Sequence, residues 1–320
     1  AVKNTGINKT TAEVNGLNPG AEYKLRVMCF KDGTEVIYGV PAEITVSTLP
    51  SVVAGFKTKS KSYNSITLQW NKNTSATGYE LQKWNGKKWV ALIKITKNST
   101  TTYTVKSLKA STTYKYRIRA YKTIGKATQY SGYKELSVNT NPSNMSGFKA
   151  KSKSYNSITL QWNKNTSATG YELQKWNGKK WVALTKITKN STTTYTVKSL
   201  KASATYKYRI RAYKTIGKAT QYSGYKELSV NTNPSNMSGF KAKSKSYNSI
   251  TLQWNKNTSA TGYELQKWNG KKWVALTKIT KNSTTTYTVK SLKASSTYKY
   301  RIRAYKTIGK ATQYSLSLIH

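Results

Sequence analysis

The sequence predicts an all-β chain built as tandem antiparallel sandwiches. Short stretches alternate apolar with polar residues, the period of a strand with one buried face, and turn residues interrupt them about every 8 to 12 positions. The pattern also repeats, because Trp70, Trp162 and Trp254 stand 92 residues apart in one context. Residues 51–142 differ from 143–234 at six positions, and 143–222 differ from 235–314 at one. Such a period sets the architecture before total length does.

Within 51–142, "SITLQW" (65–70) places Ile66, Leu68 and Trp70 on one face and Thr67 and Gln69 on the other. "YELQKW" (79–84) turns Tyr79 and Leu81 inward and Glu80, Gln82 and Trp84 outward. "TYTVKSL" (102–108) buries Tyr103 and Val105, and "YKYRIRAY" (114–121) buries Tyr114, Tyr116, Ile118 and Ala120. That leaves Lys115, Arg117, Arg119 and Tyr121 outward, while "ELSV" (135–138) buries Leu136 and Val138. No stretch holds a helical period over ten residues. Gly78, Asn85-Gly86, Gly125, Gly132 and Asn141-Pro142 supply the turns. Seven short strands per copy make a β-sandwich.

Each copy resembles a fibronectin type III domain. The likeness rests on Trp70 closing the second strand, "GYELQKW" as the third, Leu108 six residues before Tyr114, and "YKYRIRAY" as the sixth. It implies a seven-stranded immunoglobulin-like sandwich. Trp70, Trp162 and Trp254 are then core residues, and Tyr114, Tyr206 and Tyr298 are corner tyrosines whose hydroxyls tie back to nearby backbone. No Arg-Gly-Asp loop is present. The domains expected are the C-terminal half of one module (1–50), full modules at 51–142 and 143–234, and a third at 235–320 with a shortened last strand. In that third copy "QYSLSLIH" (313–320) stands where "QYSGYKELSVNT" (129–140) stands in the first, which fits a four-residue loss of "GYKE". In the opening segment Leu17, Tyr23 and Cys29 align with Leu108, Tyr114 and Ala120, so the single cysteine is expected as a small buried residue.

"KWNGKKWVAL" (83–92) recurs unchanged in all three copies. A four-residue "NGKK" loop sets Trp84 against Trp89 across the ladder, whereas a two-residue Asn-Gly turn pairs Trp84 with Lys87. By parity Trp84 points outward in both. The sixth strand neighbours the third in this family, so Trp84, Trp89, Lys115, Arg117, Arg119 and Tyr121 form an aromatic and cationic face. It repeats at Trp176, Trp181, Arg209, Arg211 and Tyr213, and at Trp268, Trp273, Arg301, Arg303 and Tyr305. Such a face can stack on sugars and fork onto carboxylate or phosphate. It can equally be self-contained, with tryptophan over arginine and across backbone hydrogen bonds.

Charge is uneven: residues 1–50 carry five Lys+Arg against five Asp+Glu, while each copy contributes +15 of the net +45. That fits a polyanion partner such as an anionic cell-wall or extracellular polysaccharide, with nucleic acid only as a nonspecific polyanion. Compositional drift in a Lys-, Asn-, Ile- and Tyr-rich chain gives the same mixture. Glu80 and Glu135, the two acids of the first copy, are expected to pair with Arg117 and Arg119 across strands. The guanidiniums would then depress both carboxyls and leave no general acid. With one histidine, His320, the chain has little material for metal or acid–base chemistry, so it is read as no enzyme and as needing no cofactor. No apolar run approaches a membrane span of about 20 residues.

Tandem modules of this kind resemble those of exported Gram-positive proteins, which implies an extracellular or wall-associated location and further domains in a longer parent chain. Three functions follow: a non-catalytic spacer, a polyvalent adhesin for anionic polymer, and a surface filament subunit. The junction "VNTNPSNMSGF" leaves few residues between modules, and strands of eight to ten residues at about 3.3 Å each make a module roughly 30 Å long.

Overall fold

The computed structural model describes residues 9–31 and 35–319, in which every regular element is a strand. It divides into two compact units, Ala1–Asn141 and Pro142–His320. In the opening segment β1 (Glu22–Val27) pairs antiparallel with β4 (Ala42–Ser47), and β2 (Phe30–Lys31) pairs with β3 (Ile37–Tyr38). These ribbons leave Val27, Ile37 and Ile44 at 70%, 66% and 58% exposure. Cys29 is exposed, not buried as aligned with Ala120, because among the described residues no second sheet packs over that part of the ribbon.

Residues 51–142 form a complete sandwich. β5 (Lys57–Lys61), β6 (Ile66–Gln69) and β9 (Thr102–Val105) make a three-stranded sheet. β7 (Gly78–Trp84), β8 (Trp89–Ile95), β10 (Thr113–Ile124), β11 (Ala127–Tyr130) and β12 (Lys134–Asn139) make a five-stranded one. The same eight strands recur as β13–β20 over 149–231 and as β21–β28 over 241–319. The eighth is β11, a short hairpin return on the end of β10, which runs three residues past the 114–121 stretch read from the sequence to reach the Gly125 turn.

The alternation places the core where the two sheets face each other. Ile66 and Leu68 from one sheet meet Tyr79, Leu81, Tyr116, Ile118 and Ala120 from the other, all at 0% exposure. Trp70 joins the layers, its ring edge-on to Tyr79 at 5.4 Å and to Phe56 at 6.5 Å. Full burial of each large side chain contributes about 1.5 to 3 kcal/mol, which lets modules of this size hold together without a disulfide.

The corner tyrosines act as the family likeness implies. The Lys109, Lys201 and Lys293 amides each donate to the hydroxyl five residues on, Tyr114, Tyr206 and Tyr298, at 2.8 Å. Two residues later along the strand, the Tyr116, Tyr208 and Tyr300 hydroxyls are buried without a hydrogen-bond partner. Burial, with the neighbouring corner tyrosine, pushes the Tyr208 phenol far up. These neighbours therefore predict opposite outcomes. Tyr206→Phe removes a made bond and is expected to cost about 1 kcal/mol, whereas Tyr208→Phe removes an unpaired hydroxyl and is expected to be neutral or stabilising. Urea midpoints of the two variants check this, and an equal loss in both would show that the corner bond is not what matters.

The end of the third copy departs from expectation. Ile302 and Arg301 on β26 (Tyr300–Ile308) pair with Leu318 and Ile319 of β28 (Leu318–Ile319). In the first copy Ile118 and Arg117 pair with Lys134 and Glu135. The registers coincide, so the ladder shows no four-residue loss: Leu316, Ser317, Leu318 and Ile319 occupy the places of Gly132, Tyr133, Lys134 and Glu135, although β28 is shorter than β12, two residues against six. Packing explains the choice, since Leu318 lies against the third core.

Candidate functional site

The candidate face is the outward side of the five-stranded sheet. In the tryptophan hairpin the loop is "NGKK": the Asn85 amide donates to the Lys88 carbonyl at 3.1 Å, and Trp84 is paired with Trp89. Asn85 fixes it by accepting the Lys87 and Lys88 amides at 2.9 Å on its side-chain oxygen, and Gly86 supplies a φ of 103°. The rings meet edge-on at 5.4 Å. Trp89 reaches the outer face through a bulge: Leu81 pairs with Ile93 but Gln82 with Ala91, leaving Leu92 unmatched. Without that extra residue Trp89 would share the inward parity of Ile93.

Behind the hairpin the arginines are already occupied. In the second copy the Arg209 guanidinium lies 4.6 Å from the Trp181 ring and 3.9 Å from Tyr225, and Arg211 lies 3.8 Å from Tyr222 and 4.7 Å from Tyr225. Rings and guanidiniums thus alternate as Trp181, Arg209, Tyr225, Arg211, Tyr222. Their edges are bonded as well: Arg209 Nε donates to Gln174 at 2.8 Å and Arg211 Nη2 to Glu172 at 2.9 Å. The Tyr225 hydroxyl donates to Glu172 at 3.1 Å. Burial alone would raise the Glu172 carboxyl, but the Arg211 hydrogen bond and charge, with Tyr225 and Gln174, outweigh it and hold the group below its ordinary 4.5. The first copy is built the same way, Arg117 lying between Trp89 and Tyr133 and Arg119 between Tyr130 and Tyr133.

Two side chains differ from expectation. Tyr121 lies on the outward side yet is 3% exposed, as is Tyr213, and Tyr305 matches them. Each lies over a glycine on the neighbouring strand, Gly78, Gly170 or Gly262, with a lysine across its other face: Lys94, Lys186 or Lys278 at about 4.6 to 4.7 Å. The second acid also fails to pair. Arg119 takes Glu80 at 2.5 Å, but Arg117, although in register with Glu135, donates to Gln82 at 2.8 Å, and Glu135 makes no ion pair among the described residues. Held between Trp89 and Tyr133, the Arg117 guanidinium is turned toward β7, away from Glu135.

Tyr133 and Tyr225, the central rings of these stacks, carried no sequence signal beyond a tyrosine near a turn. In the third copy Ser317 stands there, so Arg301 keeps Trp273 at 4.7 Å and Arg303 keeps Tyr314 at 3.9 Å with no shared ring between them. Arg303 Nε is buried without a partner. Restoring the ring with Ser317→Tyr is therefore expected to stabilise residues 235–319 by about 0.5 to 1 kcal/mol, the value of an exposed cation–π contact. A chemical melt of the variant checks this; an unchanged midpoint would remove the ring from the stability account.

What stays open on the face is Trp84, Trp176 and Trp268, each half-buried, with the exposed Lys115 and its equivalents Lys207 and Lys299. His320 lies outside the described residues. Among the described residues no three His, Cys, Asp or Glu side chains are placed to hold a metal ion, and no helix is long and apolar enough to cross a membrane.

Known proteins resemble this chain over much of its length. The chain is 25% identical to exoglucanase B of Cellulomonas fimi over 293 residues, which are 85% of this chain and 25% of that enzyme. It is 27% identical to chitinase A1 of Niallia circulans over 243 residues, 72% of this chain and 31% of that one. The chain thus spans less than a third of either relative. A two-domain fibronectin type III segment of chicken tenascin aligns with a TM-score of 0.38 and 17% identity, covering 57% of this chain and 99% of that segment. The fibronectin type III domain model matches residues 51–133, 141–225 and 233–320, and with that match over most of its length the chain belongs to the fibronectin type III family, as three tandem domains.

Proposed function

We propose that the chain is a non-catalytic spacer in an extracellular or wall-associated bacterial protein. One observation carries this reading. In each complete copy the arginines and tyrosines best able to grip a ligand are engaged with one another. The relatives support it: an exoglucanase and a chitinase contain a stretch like this chain as a quarter and 31% of their lengths. Joint geometry within residues 143–320 is consistent with stacked modules. Ser203, at a φ of 53°, donates its hydroxyl to the Ser259 carbonyl at 2.6 Å, and Lys153 bonds Gln313. Deleting residues 143–234 tests the reading. With Cys29 replaced by serine and cysteines placed for labels at Lys57 and Lys310, the label separation is expected to shorten by about 30 Å. An unchanged separation would contradict a spacer.

A second reading, polyvalent binding of an anionic polymer, is favoured by charge. Each module carries +15, and one acid in each, Glu80, Glu172 or Glu264, is already bound to arginine. Binding of this origin weakens as salt rises.

A further inference from the structure

Three lysines line a groove that the arginine stack leaves free. It lies at the turn end of the second module, has a volume of about 720 Å³, and is lined by Lys175, Trp176, Lys201, Tyr206 and Lys207, with no acidic residue in its wall. That volume falls within the range of sites for small ligands, about 300 to 1,000 Å³. None of Lys175, Lys201 and Lys207 forms an ion pair among the described residues. Lys175 is held over the Tyr206 ring at 4.7 Å, and the hydroxyl of that ring is fixed by the Lys201 amide. Trp176 meets Trp181 edge-on at 5.5 Å and also lines the groove wall. The turn beneath is set by Asn177 accepting two amides, Lys179 at 3.0 Å and Lys180 at 2.8 Å. The same lysine–tyrosine pair occurs at Lys83–Tyr114, 4.6 Å, and Lys267–Tyr298, 4.5 Å.

We propose that this groove, once per module, binds a carboxylated pyranose unit of an acidic polysaccharide. The apolar ring face of the sugar would lie on Trp176, and its carboxylate would be met by Lys201 and Lys207. An indole and ammonium groups side by side suit a ligand that is flat and apolar on one side and anionic at its edge, which a bare polyanion is not. Three copies on one chain multiply a weak contact through effective concentration. The proposal rests on the second functional reading, and its test separates the two.

Calorimetric titration of the full chain compares oligogalacturonate with inorganic polyphosphate, which has charge but no sugar face. The triple variant Trp84→Ala, Trp176→Ala, Trp268→Ala is expected to weaken oligogalacturonate binding about tenfold or more, with polyphosphate affinity little changed. Lys109→Gln, Lys201→Gln, Lys293→Gln should weaken oligogalacturonate binding similarly. Lys57→Gln, Lys149→Gln, Lys241→Gln, with equal charge loss on the other sheet, should change it by less than about twofold. If the tryptophan variant folds and binds undiminished, or if both lysine variants weaken binding equally, the groove is not the site. In the second of those outcomes general polyanion attraction survives. No binding of either polymer would overturn the groove and the second reading together.

Discussion

Trp162→Ala in residues 143–234 is expected to lower the unfolding free energy by about 3 to 5 kcal/mol, a large part of the roughly 5 to 15 kcal/mol that holds a domain together. The side chain is 1% exposed at the end of its strand, set against Tyr171 at 5.5 Å and Phe148 at 6.5 Å, so it contacts both sheets at once. Its indole N–H has no hydrogen-bond partner, and the loss is therefore one of packing alone. Tyr171 is held back from the gap because its ring is anchored elsewhere: its hydroxyl donates to the Asn190 carbonyl at 2.8 Å and accepts the Asn165 amide at 2.9 Å. A urea midpoint close to that of the parent module would mean that Trp162 does not join the layers.

Gly170→Ala is expected to cost about 3 kcal/mol, the upper end for forcing atoms into a packed core. A Cβ there would stand 2.0 Å from the Ile187 carbonyl oxygen and 2.9 Å from the Tyr213 hydroxyl. The first is backbone of the paired strand and cannot rotate away. The Tyr213 ring ends over this glycine, so the substitution also displaces the ring that closes the outer face. Gly178→Ala is the control. Its φ of 99° is strained for alanine but nothing lies within 4 Å of the added carbon, so about 1 to 2 kcal/mol is expected. Equal losses at the two glycines would show that the close approach is relieved at no cost.

The strands and their inward residues were legible because alternation is local. Ile66, Leu68, Tyr79, Leu81, Tyr116 and Ile118 all lie where parity put them. Features that depend on another strand were not. The unmatched Leu92, which turns Trp89 outward, shows only in the pairing of β7 with β8. Tyr121 was placed on the correct side, but its burial comes from the absent side chain of Gly78 opposite and from Lys94 above. The four-residue loss suggested by the third copy's last residues is absent from the ladder: five consecutive positions, 316–320, differ from 132–136, yet β28 keeps its register to β26. On the candidate face, the list of aromatic and basic residues was legible and their mutual engagement was not. The ring shared by Arg209 and Arg211 comes from Tyr225, sixteen and fourteen residues further along the chain.

The central claim is that the arginine face of each module is a structural stack and not a ligand-reading surface. Replacing Arg117, Arg209 and Arg301 by lysine in the full chain tests it directly, because charge is kept while the planar group between two rings is lost. Thermal melting and salt-dependent polyanion binding are measured on the same variant. A structural stack predicts a lower melting temperature with polyanion affinity unchanged. An unchanged melting temperature with lost affinity would contradict it and return the face to ligand recognition.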